Sequence, residues 1–429
     1  MMGISNKKQV PSKTLIGISS FQILAMFRRG LFYSYLSIYL RFFLGLSVTE
    51  TTFFATFPMI LNIIFQAFVW GVISDKYQRR KTLIILGEVL AAIGTFFVWY
   101  IHTLPAQKST AGYIIIIGLS IVEIFWSMSN VGWTAIISDL YPERERTGIQ
   151  GRLASIGAIG RFAGVWIGAL AYDGLARYYE GWGFHNGLLF FIASIIMLIS
   201  TIPMLFVPEG GVKAVKDEKR KSRHKAGKLF DISKPYLVFL LAMVFINFGR
   251  NSTAIIKTQY LVLDEGFNVS SNLLGYIVNM QSLAILILGL LITRVSRKLS
   301  DEYLLTAGTI IAIIYLVGFV FAHSLEIIFI SNFLCGVAEV VILASSYSYV
   351  SKLIPPGQRG KQFSLYNATF FLSWGVAGTL IAGPIADVLM KTGASQLFAY
   401  KISFLSSAAL VFIGMLILFS AIRLVHTHK

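Results

Sequence analysis

Twelve times along this chain a run of about 20 or more mostly apolar residues is followed by a short polar interruption. One crossing of a bilayer's hydrocarbon core takes about 20 residues of helix. Inside that core every backbone N–H and C=O must find its partner within the protein, which for single segments means a helix. A chain written this way is therefore expected to fold as an all-α membrane bundle. Apolar residues make up 56% of the 429 and charged residues 13%, about half of what keeps a soluble domain wet. The expected spans are Thr14–Leu40, Thr51–Trp70, Thr82–Ile101, Tyr113–Ser138, Ile149–Ala171, Gly187–Val207, Pro235–Leu261, Ser271–Thr293, Tyr303–Ala322, Leu325–Val350, Phe363–Leu389 and Phe398–Arg423. The first is much longer than the apolar core of a secretory signal, so it is expected to be kept as a helix.

The net charge of +17 raises the question of a nucleic-acid partner, since basic chains attract phosphate backbones. The placement of the charge argues otherwise. When loops are assigned alternately to two sides, one side holds the N-terminal lysines, Lys76, Arg79, Arg80 and Lys81, Arg144 and Arg146. The same side takes the segment 208–234, Arg294, Arg297 and Lys298, Lys352, Arg359 and Lys361, and the C-terminus. The other side holds little more than Arg41, Lys108, Arg177, Lys391 and Lys401. Cytoplasmic loops retain Lys and Arg, so both termini are expected in the cytoplasm of a multi-pass cell-membrane protein, without nucleic acid. Cys335 is the single cysteine and the six histidines are scattered, so no disulfide, metal site or cofactor is expected. No G-x-x-x-x-G-K-[ST] loop appears, so nothing points to ATP, and the chain is not expected to be an enzyme.

The two halves resemble each other. Residues 25–49 lie against residues 246–270 without a gap, placing Arg29 on Arg250, Tyr39 on Tyr260, Gly45 on Gly266 and Val48 on Val269. SDLYPERERTG (Ser138–Gly148) likewise matches SKLIPPGQRGK (Ser351–Lys361) in Ser, Leu, Pro and Arg. Many transporters are built from such repeats, with the binding site between them near the midplane. The expected organisation is a six-helix bundle over 1–207, a basic linker over 208–234, and a second six-helix bundle over 235–429.

Between the second and third spans stands GVISDKYQRRK (Gly71–Lys81). This resembles the major facilitator superfamily signature G-x-x-x-D-[RK]-x-G-R-[RK]-[RK], with Gly71, Asp75, Lys76, Arg79, Arg80 and Lys81 matching and Gln78 in place of the glycine. The resemblance extends over the whole chain in its twelve spans, 6+6 repeat and basic central segment. It implies two pseudo-symmetric six-helix bundles, rocker-switch alternating access, and loop contacts that hold an outward-open form. Gly71 is expected to let two helices approach closely, and Asp75 to accept from a helix N-terminus or an arginine. On the fifth span Gly160, Gly164 and Gly168, with Val165 and Ala169, are similar to an antiporter motif lacking its proline. Small residues four apart are more simply a close-packing face.

Charges inside the spans carry most of the functional information. Arg28 and Arg29 fall in the middle of span one, Glu123 in span four, Arg161 in span five, Arg250 and Lys257 in span seven, and Glu339 in span ten. Glu88 lies on span three, about two turns from its end. A central charge costs at least about 2.5–3.5 kcal/mol, so it persists where water, a partner or a ligand compensates. The resemblance implies that spans one, four, seven and ten line the cavity, flanked by two, five, eight and eleven. Depth along the helices puts Glu123 level with Arg161 and Glu339 level with Arg250, as internal ion pairs. Five basic side chains against two central carboxylates then leave a positive surplus, which suggests a small organic or phosphate-bearing anion gripped by Arg29 and Arg250. The expected substrate-binding set is Arg28, Arg29, Arg161, Arg250 and Lys257 with Tyr33, Trp126, Asn247 and Asn251. Glu123 and Glu339 are the proton-coupling candidates. Expected partners are the anion, protons or a counter-substrate, and lipid, with the chain a monomer. Proton-coupled efflux of amphipathic drugs, a purely structural charge network and a non-transporting sensor are the competing readings.

Overall fold

The computed structural model describes residues 11–141, 143–210, 233–354 and 359–427. Most of the expected linker lies outside them, as do the side chains of Arg144, Arg146, Arg359 and Lys361. The described residues form helices and no strands. Twelve helices are long and apolar enough to cross a membrane: α1 (Ser12–Phe43), α2 (Val48–Tyr77), α3 (Arg80–His102), α4 (Lys108–Leu140), α5 (Arg152–Tyr172), α6 (Leu188–Leu205), α7 (Lys234–Leu261), α8 (Ser271–Ile292), α9 (Asp301–Phe321), α10 (Leu325–Leu353), α11 (Leu365–Lys391) and α12 (Gln396–Val425). α4 begins at Lys108 rather than Tyr113 because KSTAG, though not apolar, continues the helix where the chain leaves the hydrocarbon. α2 starts on a capping box: Ser47 Oγ accepts from Glu50 N at 3.2 Å, and Glu50 Oε2 accepts from Ser47 N at 2.7 Å.

Within each set of six the neighbours correspond. α1 packs on α5 and α6, α3 on α4 and α6, and α2 on α4. In the second set α7 packs on α11 and α12, α9 on α10 and α12, and α8 on α10. The sets meet along α5–α8 and α2–α11, the pairs a two-fold relation between halves would exchange. Large apolar side chains such as Phe68, Leu290, Phe321 and Leu380 are exposed, as a bundle solvated by lipid tails permits.

The glycines of α5 settle the reading of its motif. A Cβ added at Gly160, Gly164 or Gly168 would stand 2.2, 2.0 and 2.6 Å from the carbonyl oxygens of Ile23, Phe27 and Leu31 on α1. From the α1 side, a Cβ at Gly30 would stand 2.4 Å from the Arg161 carbonyl. These residues let two backbones touch, and that contact fixes the depth of Arg28, Arg29 and Arg161. Gly71 has a different use from the expected one. An added Cβ there meets the Gln66 carbonyl at 2.8 Å, on its own helix. It follows a π-helical turn, Gln66–Trp70, whose wider coil brings that carbonyl inward.

At the end opposite the basic loops the two sets are held together by polar contacts. Asp387 on α11 accepts from the first amides of α2, Val48 N at 2.9 Å and Thr49 N at 2.8 Å. Gln259 donates to Thr51 Oγ1 at 2.8 Å and accepts from Tyr400 at 2.6 Å. The Ser37 and Thr258 hydroxyls lie 2.8 Å apart, and Thr52 and Thr56 both bond Thr379 at 2.6 Å. Asp173 at the end of α5 takes the Ser271 hydroxyl at the start of α8. This end of the molecule is closed.

Candidate functional site

Because α1 lies flat on α5, its polar middle turns toward α4. Trp126 on α4 receives both guanidinium groups there, with Arg28 Cζ 4.4 Å and Arg29 Cζ 4.5 Å from the indole centroid. Arg28 is buried and its Nη2 makes no hydrogen bond to protein. Arg29 is exposed although it sits mid-span, and its place over the α4 indole shows that the exposure is to the interior. The indole is itself held: Trp126 Nε1 donates to Glu88 Oε1 at 3.0 Å, and Ser129 Oγ donates to the same oxygen at 2.7 Å. Glu88 is only 2% exposed. Tyr33 stacks on Phe54, centroids 6.2 Å apart.

Glu123, also buried, accepts from the Asn62 amide of α2, which accepts in turn from Gln66. Arg161 on α5 is half-buried and has no hydrogen-bond or ion-pair partner among the described residues. It lies within electrostatic reach of Arg29 on one side and Lys257 on the other. Three cations thus run across the seam between the two sets of helices.

On the second side Lys257 Nζ donates to Gln281 Oε1 at 3.1 Å, and Gln281 Nε2 donates to Glu339 Oε2 at 2.9 Å. An amide therefore bridges ammonium and carboxylate. Arg250 Nε donates to Asn247 Oδ1 at 3.1 Å, its guanidinium lies 5.4 Å over Phe370, and its Nη2 is unpartnered. Asn247 and Asn251 are spent on α11, donating to Thr369 Oγ1 at 3.2 Å and Ser373 Oγ at 2.8 Å. They join helices.

Two expected pairings are absent. The ion pairs among the described residues are Arg80–Asp75, Arg80–Asp139 and Lys352–Asp301, so neither Glu123–Arg161 nor Glu339–Arg250 closes. Asn62 and Gln281, on the flanking helices α2 and α8, take up the carboxylates instead and leave the arginines unneutralised by contact. Arg250 is turned to Asn247 and Phe370 on its own side, and the cations shared across the seam are Arg29, Arg161 and Lys257. Glu88 is not among the site residues expected from the sequence. Gly87 is a signal for it: an added Cβ there would meet Ser129 N at 2.7 Å, a close α3–α4 crossing that carries the next residue, Glu88, into the α4 face.

At the basic end Arg80 is the centre of the loop motif. It is buried, donates to the Ser74 carbonyl and hydroxyl and to Gln78 Oε1 at 3.2 Å, and pairs with Asp75 at 3.5 Å and Asp139 at 3.4 Å. Asp75 is 82% exposed at its side chain, and Lys76 and Arg79 are exposed. Gln78, in the glycine position of the signature, takes the left-handed conformation, φ 55°, where glycine is the easier residue. At the closed end, burial and the neighbouring Asp173 and Asp264 carboxylates raise the pKa of Glu180, while burial and Lys108 lower that of His185.

A family model for the MFS_1 like family matches residues 19–400. The chain is 23% identical over 359 residues to the multi-drug resistance efflux pump PmrA of Streptococcus pneumoniae, covering 80% of this chain and 82% of that one. Among solved structures it is similar to the nucleoside transporter NupG, with TM-score 0.71, 15% identity and coverage of 95% and 99%. It is similar also to a bacterial homologue of the human lysosomal transporter Spinster in an inward-facing, unoccupied conformation, with TM-score 0.68, 16% identity and coverage of 97% and 98%.

Proposed function

The chain belongs to the MFS_1 like family of multi-pass membrane transporters, and from that premise we propose that it carries a small organic or phosphate-bearing anion by alternating access. The observation that supports this most is the run Arg29, Arg161, Lys257 across the seam, in which Arg29 and Arg161 keep their hydrogen-bonding forks free of protein partners. Guanidinium forks match carboxylate and phosphate geometry, and a free cation at this depth is costly until something negative arrives. Arg28, Arg250 and Trp126 complete the positive surround.

Glu123 and Glu339 are the proportionate coupling groups. Each is held by an amide, from Asn62 and Gln281, and an amide can bond either form of a carboxyl group because it both donates and accepts. Proton uptake there would alter the field on the neighbouring cations without breaking the fold. The excess of Lys and Arg on one set of loops supports placing that end, with both termini, in the cytoplasm. On that placement the closed end faces outward and the conformation is inward-facing, with Asp75 able to leave its long pair with Arg80 when the cycle turns.

Uptake by proteoliposomes under an imposed pH gradient tests the reading, using labelled organic acids and phosphate esters beside lipophilic cations. Arg29→Gln and Arg161→Gln are expected to abolish uptake of the anion that wild type carries; undiminished uptake in both would refute the site. Proton-coupled drug efflux is the second reading. The likeness to PmrA favours it, as does the aromatic surround of Trp126, Tyr33 and Phe54, and accumulation of cations without anion transport would establish it.

A further inference from the structure

We propose that the central site is built for a dianion, and that Glu88 is the fixed counter-charge that sets this number; the inference rests on the anion reading above and sharpens it. The charges inside the spans leave the same surplus on each set of helices. On the first side Arg28, Arg29 and Arg161 face Glu88 and Glu123, and on the second Arg250 and Lys257 face Glu339. With the coupling groups Glu123 and Glu339 deprotonated and the others in their ordinary charged forms, each side offers one uncompensated positive charge and the cavity offers two.

Glu88 belongs in that sum despite its place on α3, away from the cavity. One indole separates its carboxylate from both guanidinium groups: Oε1 is 3.0 Å from Trp126 Nε1, and the same ring carries Arg28 and Arg29 at 4.4 and 4.5 Å. It is buried with no cation in contact, so its field reaches Arg28 and Arg29 through a water-poor medium and is screened little. When the transporter closes around its load, water leaves and each uncompensated charge becomes expensive. The load that brings the sum to zero carries two negative charges. A monoanion leaves one positive charge stranded, and a trianion one negative. Both a dicarboxylate and a phosphomonoester satisfy this chemistry. Arg161, in reach of Arg29 and of Lys257, serves either one doubly charged group or two charged ends.

The test is equilibrium binding to the purified full-length protein at fixed ionic strength and pH 8, with butyrate, succinate, tricarballylate, methyl phosphate and the neutral butyramide as probes. Wild type is expected to bind succinate or methyl phosphate about 10-fold more tightly than butyrate or tricarballylate, a difference of about 1.4 kcal/mol. The better of the two tells whether the charges sit on two groups or one. Glu88→Gln keeps an oxygen for Trp126 and Ser129 and raises the surplus by one, so tricarballylate should gain about 10-fold relative to succinate. Arg161→Gln lowers the surplus by one and should move the preference toward butyrate. Loss of an indole support alone would weaken all anions together and leave their order intact. If wild type prefers butyrate, or Glu88→Gln leaves the order of the anions unchanged, the dianion inference is overturned while the anion site stands. If no anion binds better than butyramide, the anion site fails and the inference with it.

Discussion

Replacing Asp387 by asparagine removes the charge from the contact that ties α11 to the first turn of α2. The carboxylate accepts from Val48 N at 2.9 Å and Thr49 N at 2.8 Å, two amides that no helical carbonyl reaches. A hydrogen bond to a charged group contributes about 1.5–3 kcal/mol, and a carboxylate at a helix N-terminus about 0.3–1 kcal/mol more. Asparagine keeps one acceptor oxygen and turns its NH2 toward the other amide, so one bond and the charge are lost. We expect a cost of about 2–3 kcal/mol. Because the contact joins the two sets of helices, that cost falls on the closed conformation alone. It corresponds to a shift of about 30- to 150-fold toward opening at this end. Gln259 with Thr51 and Tyr400, and Thr379 with Thr52 and Thr56, still oppose it. The assay is double electron–electron resonance between spin labels at Thr103 and Lys391, after removal of the single native thiol by Cys335→Ser. Asp387→Asn should add a longer-distance population. An unchanged distribution would show that threonine and apolar contacts alone hold the end shut, and the latch argument would fail.

Three further outcomes follow from local geometry. Gly164→Ala puts a methyl 2.0 Å from the Phe27 carbonyl and should cost about 2 kcal/mol or more by overpacking, read as a fall in Tm in detergent; Gly289→Ala, which meets only Ser155 Oγ at 3.4 Å, should not. Gln281→Leu leaves the Lys257 ammonium without its acceptor and Glu339 without its donor, so a loss of about 1–3 kcal/mol is expected, read as a fall in Tm in detergent. Glu180 has a raised pKa beside Asp173 and Asp264, so its stability contribution is present in acid and lost as pH rises through that value. Glu180→Gln should therefore raise Tm at pH 8 and leave it unchanged at pH 4, by less than about 1 kcal/mol because the group is partly exposed and screened; a larger gain in acid would contradict the sign.

The spans were legible because the signal needs no partner: about 20 apolar residues identify a crossing whatever surrounds it. Arg28, Arg29, Arg161, Arg250 and Lys257 were legible for the same reason, each being out of place in its run. Pairing was not. Successive residues on a helix point about 100° apart, so equal depth for Glu123 and Arg161 says nothing about whether they face each other. The crossing of α1 on α5, set by Gly160, Gly164 and Gly30, decides which way Arg161 points. Glu88 escaped because its helix does not border the cavity; only the α3–α4 contact at Gly87 makes it the support of Trp126.

The two ends of the molecule solve the same problem with opposite chemistry. At the closed end the charge, Asp387, is presented by the second set of helices to the N-terminus of a helix in the first. At the basic end the charges pair within one set at a time: Arg80 holds Ser74, Asp75, Gln78 and Asp139, all on its own side of the seam, and Lys352 holds Asp301 within the second set. Glu209, just past α6, caps the start of α3 through Thr82 N at 3.0 Å and Thr82 Oγ1 at 3.1 Å, stiffening the same corner. A carboxylate left 82% exposed at the edge of that corner forfeits little when it moves, since its 3.5 Å pair with Arg80 is long and wet. Among the described carboxylates of this corner, Asp75 is therefore the one that gives up least by leaving Arg80. Arg80, buried and five times bonded, is the group that holds the corner together.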